Sequence, residues 1–401
     1  MTRARQLILL IFFLGIIYAV PVTQAILEIL EDERPQILEL FSQAPTEENL
    51  RSFEADMEEY SFFEEKLRPV FQLLHYLTSR DMGAKALPGR DGWYFFHPGV
   101  KYLTEPYFRD IETANVLASG TVVGESKEKS KSGDPVEIIV DFVKQMKARG
   151  IQVLVVPIPG KASIYPDRLT PLAERGAPVY ANTTRFMDEL REEGVEVVAI
   201  HDLLVKQRAE ADRLARPLYM ATDTHWSGAG IRLAAEAIAD RIKKESWYKK
   251  PAPRYGRKTI ALGRRGDIPE MTKIPFQKRL FPTEGVECDQ VFDAEDGTAY
   301  KDDPDSPILL LGDSFSRVFQ TDDPKSAGLI ANLAFELQMP LASIVNNGGA
   351  STLVRQQLAR KIDLLDNKRL IVWEFVERDI RFGMGGWQAI SYPPPDEGSH
   401  D

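Results

Sequence analysis

The chain has 401 residues, 43% of them hydrophobic, enough to bury the core of one large α/β domain with extensions or of two ordinary domains, so global disorder is excluded. A formal net charge of -10 leaves no net basic face for sequence-independent binding to nucleic acid. Cys288 is the single cysteine, which rules out an intramolecular disulfide and a multi-cysteine zinc site and reads as a small apolar filler.

In chain order, MTRARQLILLIFFLGIIYAVPVTQA places Arg3 and Arg5 before an uncharged run from Leu7 to Val22 and a small-residue site ending at Ala25. That is the layout of an export signal, either cleaved or kept as a signal-anchor. Residues 1–25 are therefore expected to keep the arginines cytoplasmic and to carry the rest across the membrane. Residues 26–80, rich in Glu and aromatic residues at helical spacing, predict a helical stalk.

The globular domain is expected over residues 81–386. It opens on LPGRDGWYFFHPG, whose aromatic run Trp93 to Phe96 predicts a short strand. Asp134 as N-cap, Pro135 in the first turn and Gly150 as stop predict a helix with the stripe Ile139, Phe142, Val143, Met146. IQVLVVPIP then reads as a strand buried on both faces. A helix from about Thr183 to Glu193, the strand VEVVAI, the strand PLYMA and a helix capped by Ser227 with stripe Ile231, Ala234, Ile238, Ile242 continue the alternation. Residues 246–306, rich in Pro, Gly and charge, read as an insertion. After it, ILLL, a helix opened by Asp323-Pro324, LASIV, a helix from Ser351 to about Leu365 and RLIVWEFV complete the set. Buried strands alternating with amphipathic helices predict a three-layer α/β/α domain on a parallel, flavodoxin-like sheet. Residues 387–401 are expected to be disordered.

Ligands of such sheets sit beyond the carboxyl ends of the strands. Three polar clusters fall there: Asp223/His225 after PLYMA, Asp313/Ser314 after ILLL, and Asn346/Asn347 after LASIV. In LLLGDSFS, Gly312 permits close backbone approach, and the amide of Ser314 or its neighbour could face a developing oxyanion. A serine hydroxyl needs a base within reach and a third group to orient that base. His225 and Asp223 supply both roles, while Asp313 is expected to hold the turn. Each piece alone is weak, since GDS is common by chance and a strand-end His is more often structural.

GDSF together with DTHWS resembles the SGNH-hydrolase superfamily and, within it, the alginate O-acetyltransferase (AlgJ/AlgX-like) group, in which the Asp/His motif precedes the Ser motif as it does here. GRDGWYFF, VPIPGKASIYP and WEFVERDI support the resemblance, which covers roughly residues 85–382. It implies a Ser314–His225–Asp223 site, no cofactor, and an exported, periplasmic O-acetyltransferase or acetylesterase acting on an exopolysaccharide through acetyl-serine. It also implies a membrane O-acyltransferase partner that passes acetyl groups across the membrane. Asn346 or Asn347 is the oxyanion candidate. Trp226 either walls the pocket or is packed, and Lys161 and Tyr165 either meet substrate or lie on the surface. His97 reads as structural.

The basic cluster from Arg241 to Arg265 could dock an anionic polymer or anionic lipid, although such runs are more often solvated faces. Two other classes compete. A non-catalytic polysaccharide-binding or assembly component would share the fold without using the triad. A metallophosphoesterase also uses Asp-x-His and a later Gly-Asp, but needs further His ligands: IVNNGGA has none, His201 precedes the motif and His400 lies in the tail.

Overall fold

The computed structural model describes residues 3–42, 44–59, 62–111 and 133–393. They fall into two compact units, one comprising residues up to Met82 with Thr272–Phe276, the other Gly83–Met271 with the residues from Gln277 onward. The first contains helix Arg3–Leu30, a 3-10 turn Gln36–Phe41 and helices Glu47–Glu59 and Phe62–Ser79. Its segment Arg5–Leu30 has a mean hydropathy of 2.3 and is, among the described residues, the one helix long and apolar enough to cross a membrane.

The second unit is built on a five-stranded sheet. Its strands are β3 (Gln152–Ile158), β4 (Glu196–Val197), β7 (Ile308–Gly312), β8 (Ala342–Val345) and β9 (Leu370–Val376). They are arranged β4-β3-β9-β7-β8 with every pairing parallel. Because side chains alternate along a strand, the near-continuous apolar runs feed two cores. Leu154, Val156, Ile158, Leu310 and Val372 face one, packed with Ile231, Ala234 and Ile238 of helix Gly228–Ile242 and Leu333 of helix Leu329–Leu337. Val153, Val155, Leu311, Trp373 and Phe375 face the other, packed with Ile139, Phe142 and Met146 of helix Pro135–Lys147 and Val354 of helix Leu353–Arg360. The result is the expected three-layer α/β/α arrangement on a parallel sheet.

Local signals in the sequence operate as expected in several places. Asp134 accepts the Val136 amide at 2.8 Å, with Pro135 as the first helical residue. Ser227 accepts the Ala229 amide at 3.2 Å.

Other expectations are corrected. Only Tyr94–Phe96 of the aromatic run is a strand (β2), and it pairs antiparallel with β1 (Ala86–Pro88), outside the main sheet. Of VEVVAI only two residues pair with β3. PLYMA is no sheet strand: Pro217 has no amide to give, and Tyr219 makes one isolated bridge, back to Trp226. The helix expected at Asp323-Pro324 begins at Leu329.

The insertion contains a long antiparallel ribbon of β5 (Tyr255–Arg264) and β6 (Glu284–Asp293), joined in register from Tyr255↔Asp293 to Arg264↔Glu284. Its charge-rich, half-exposed strands carry no clean apolar alternation, so the period-two signal is lost. Residues 387–393 are also ordered in place of the expected disorder. Trp387 is buried and its Nε1 donates to the carbonyls of Asp379 and Ile380, while the Tyr392 hydroxyl donates to Arg355 O. Residues 394–401 lie outside the described residues.

Candidate active site

Strand β7 ends at Gly312, where a Cβ would stand 2.7 Å from Glu374 Oε2, so only glycine lets the chain turn against β9. Asp313 then caps the short helix Ser314–Arg317. Its Oδ1 accepts the Phe315 amide at 2.7 Å and its Oδ2 accepts the Val376 amide of β9 at 2.9 Å. Asp313 thus holds the turn and uses up the amide of Phe315. The Ser314 amide has no hydrogen-bond partner among the described residues and is the free donor at this turn. Ser314 itself is partly exposed.

The segment 220–225 reaches Ser314 as irregular backbone, and charged side chains take up its polar groups. Lys161 Nζ, at the end of β3, donates to the carbonyls of Met220, Ala221 and Asp223 at 3.0, 2.9 and 2.6 Å. Glu284 of β6 accepts the amides of Ala221 and Thr222 at 2.8 and 2.9 Å. Asp267 accepts the Thr224 amide at 2.7 Å and the Thr224 hydroxyl at 2.6 Å. Gly266 lies directly on this backbone, and a Cβ there would collide with the Thr222 carbonyl. An irregular buried loop of this kind persists because its donors and acceptors are satisfied.

That support sets a continuous polar line. Ser314 Oγ lies 2.8 Å from His225 Nε2, and His225 Nδ1 lies 2.7 Å from Asp223 Oδ1. Asp223 Oδ1 also accepts the His225 amide at 3.0 Å, and Arg264 Nε donates to Asp223 Oδ2 at 3.0 Å. A second carboxylate, Asp267, stands 3.4 Å from His225 Nδ1. Burial works against charge on His225, but the hydrogen bonds and negative charges of Asp223 and Asp267 outweigh it and raise the imidazole to about 9. Burial would raise Asp223, yet the hydrogen bond and charge of His225, with the charge of Arg264, hold it far below the usual carboxylate range. Burial pulls Lys161 down to about 8, against the charges of Asp223, Asp267 and Glu284.

One ligand atom each of Asp223, His225 and Asp267 lies within 4.8 Å of the others. Those atoms already hydrogen-bond one another or Thr224, and the Arg264 guanidinium occupies the far side of Asp223. The donor set suits an imidazolium better than a divalent cation, which would face Arg264 at close range.

The remaining expected residues divide. Asn346 follows β8 beside this turn, its amide donating to Gly312 O at 3.0 Å, while Asn347 is exposed. Trp226 is wholly buried, edge-on to Phe315 with Nε1 donating to the Phe315 carbonyl at 3.0 Å, so it has no face left for a sugar. Lys161 is not a surface residue: it is buried, and Nζ donates to the carbonyls of Met220, Ala221 and Asp223. Tyr165 is buried between Asp212 and the Leu218 amide, and His97 faces Ala84 O at 2.9 Å. Cys288 is buried and its thiol is raised to about 12 by burial.

Much of the basic cluster is ion-paired: Arg241 with Glu196 and Glu245, Arg254 with Asp293, Arg257 with Glu336, and Arg264 with Asp223 and Asp322. Arg264, Asp267 and Glu284 were not singled out from the sequence. The one signal near Arg264 and Asp267 is the Arg-Arg-Gly-Asp punctuation inside a stretch without period, and Glu284 has none.

A helix-covered parallel sheet with a serine on the turn after an inner strand and a histidine within hydrogen-bond distance defines an α/β protein of the SGNH-hydrolase type. The family described as SGNH hydrolase-like domain, acetyltransferase AlgX, matches residues 87–377, and the chain belongs to that family. Its relatives include the probable alginate O-acetylase AlgJ of Pseudomonas fluorescens, 24% identical over 249 residues that make up 60% of each chain. The AlgJ of Pseudomonas aeruginosa is 26% identical over 310 residues, 72% of this chain and 69% of that one. The chain thus spans about three fifths of the first relative's length. Among solved structures, the O-acetyltransferase domain of Pseudomonas putida AlgJ aligns with a TM-score of 0.53 at 19% identity, covering 75% of this chain and 93% of that one. Pseudomonas aeruginosa AlgX aligns with a TM-score of 0.51 at 16% identity, covering 73% and 61%. At these identities the structures speak to the fold alone.

Proposed function

We propose that this protein is an exported, membrane-anchored serine enzyme that moves acetyl groups to or from an exopolysaccharide through an acetyl-Ser314 intermediate. The observation that carries the reading is the unbroken line from Ser314 Oγ through His225 to Asp223, at 2.8 and 2.7 Å. Neutral His225 takes the Ser314 proton on Nε2 as Oγ bonds to the acetyl carbonyl carbon. Asp223 holds Nδ1–H and balances the imidazolium. The imidazolium returns that proton to the departing alcohol oxygen, leaving acetyl-Ser314. A sugar hydroxyl or water then gives its proton to His225 as it attacks the ester carbon, and the imidazolium returns that proton to Ser314 Oγ as the acyl–Oγ bond breaks. The Ser314 amide is the first oxyanion donor, and the Asn346 side chain is the candidate second.

Acetate transfer to an exopolysaccharide fits relatives named for alginate O-acetylation, and the apolar helix fits an anchor with residues 26–80 as a stalk. Exported enzyme lacks cytosolic acetyl donors, so a membrane O-acyltransferase partner supplies the acetyl group. The test is turnover of a chromogenic acetyl ester by the full chain in detergent, with and without chelator, beside Ser314→Ala and His225→Ala. Chelator-insensitive turnover that falls by about a thousandfold or more in both variants is expected. An inactive parent, or activity indifferent to Ser314→Ala, moves the reading to a non-catalytic polysaccharide-binding component. Loss of turnover with chelator moves it to a metal site.

A further inference from the structure

We infer that Arg264 and Asp267, delivered by the end of β5 and the turn after it, are positioning residues that set two carboxylates of unequal freedom against the same Nδ1 of the His225 imidazole. The inference rests on the reading of His225 as the base. Arg264 spends Nε on Asp223 Oδ2 at 3.0 Å, so the carboxylate nearer the imidazole is already half-compensated. Among the described residues, Asp267 makes no ion pair with an arginine or lysine. Its hydrogen bonds go to the Thr224 amide and hydroxyl, and its Oδ2 remains 3.4 Å from His225 Nδ1.

Thr224 is the physical link. Its hydroxyl donates to Asp267 at 2.6 Å while standing 3.1 Å from His225 Nδ1, so it fixes the second carboxylate at one distance from the ring. Arg264 is in turn set by Asp322, 3.6 Å away, and lies over the Phe319 ring. On the remaining sides the imidazole faces Ser314 and the Phe315 ring, which carries Arg378 beyond it. Lys161 and Glu284 hold the backbone of the same loop and are charges of opposite sign. The arrangement makes the ribbon part of the base's machinery: one of its residues weakens Asp223 and the next acid adds a second anion.

The two residues should therefore act on His225 in opposite directions, which a merely structural role would not do. The readout is the His225 titration midpoint, followed by its ring proton resonance in the full chain in detergent and assigned by its loss in His225→Ala. The pH dependence of kcat/KM on the acetyl ester gives the same midpoint kinetically. Asp267→Asn keeps an acceptor for the Thr224 amide and should lower the midpoint by about one unit. Arg264→Gln should raise it by about one unit, with Arg264→Lys returning it near the parent value. The kinetic split should be a fall in kcat of about tenfold to a hundredfold with little change in KM, the mark of a displaced base.

Shifts in the same direction, or a midpoint unmoved in either neutral variant, overturn the inference. If one neutral variant does not fold, the other still decides, because each direction is predicted separately. The resonance measurement also separates the two ideas: opposite shifts in a protein without Ser314-dependent turnover would keep the positioning and discard the proposed chemistry.

Discussion

Within the α/β unit, His225 and His201 each sit in a cluster with a carboxylate and a serine, and the two clusters are wired differently. At His225 the serine hydroxyl meets the imidazole and the carboxylate stands behind it. At His201 the imidazole Nε2 meets Glu377 at 3.1 Å, and the hydroxyls of Ser163 and Thr183 donate to the same carboxylate, not to the ring. Burial would raise Glu377, but His201 and the two hydroxyls hold it below its ordinary value. Ser163 is fully buried, whereas Ser314 is partly exposed. The difference teaches that Ser, His and acid in proximity do not define a nucleophile. A hydroxyl bonded to imidazole and open to a substrate does, while hydroxyls gathered on a buried carboxylate tie β3, β9 and two helices together.

The largest expected effects break the comparison outright. Ser314→Ala should abolish acetyl-ester turnover by about a thousandfold or more while leaving the thermal midpoint nearly unchanged. Ser163→Ala should do the reverse, costing about 1–2 kcal/mol in denaturant unfolding with kcat preserved. Glu377→Ala strands His201 in the interior and should cost about 3–5 kcal/mol in the same experiment.

A pH series sharpens the contrast. With His225 raised to about 9, kcat/KM should climb about tenfold per unit below that value and level above it. The sign for stability is opposite. The raised folded-state value makes the His225–Asp223 contribution complete below the ordinary histidine range and lost as pH rises through about 9, which thermal melts across pH 6 to 10 would register. A smaller effect is expected from Trp226→Phe, which loses the bond to the Phe315 carbonyl and should cost about 1 kcal/mol. His97→Ala should alter neither activity nor stability by a measurable amount.

Two central strands were legible because IQVLVVPI and RLIVWEFV are short runs, apolar on both faces and rich in β-branched residues, as a doubly covered strand requires. The helices carried caps at Asp134 and Ser227 that act as read. Ser314 stood out because it follows ILLL, a true strand of the sheet, whereas Asp223 and His225 stood out by residue type and spacing alone, since the stretch before them is no sheet strand. The ribbon was not, since β5 and β6 are half exposed and their charges fall on both sides. Arg264, Asp267 and Glu284 escaped for a related reason. Asp267 and Glu284 act on loop backbone and Arg264 on the Asp223 carboxylate, all far away in sequence, and no local spacing announces a contact between residues 224 and 267. Trp226 and Lys161 were ambiguous because burial and substrate contact use the same residue types; in both cases the fold chose burial.

The most direct test of the central claim is covalent. The full chain in detergent, mixed with a chromogenic acetyl ester and quenched within the first turnovers, would be digested and mapped by mass spectrometry. The account predicts one acetyl group on the peptide carrying Ser314, absent in Ser314→Ala and His225→Ala and present in Ser163→Ala. Rapid ester turnover with Ser314 unmodified at every quench time, or an acetyl group that persists in Ser314→Ala, would contradict it.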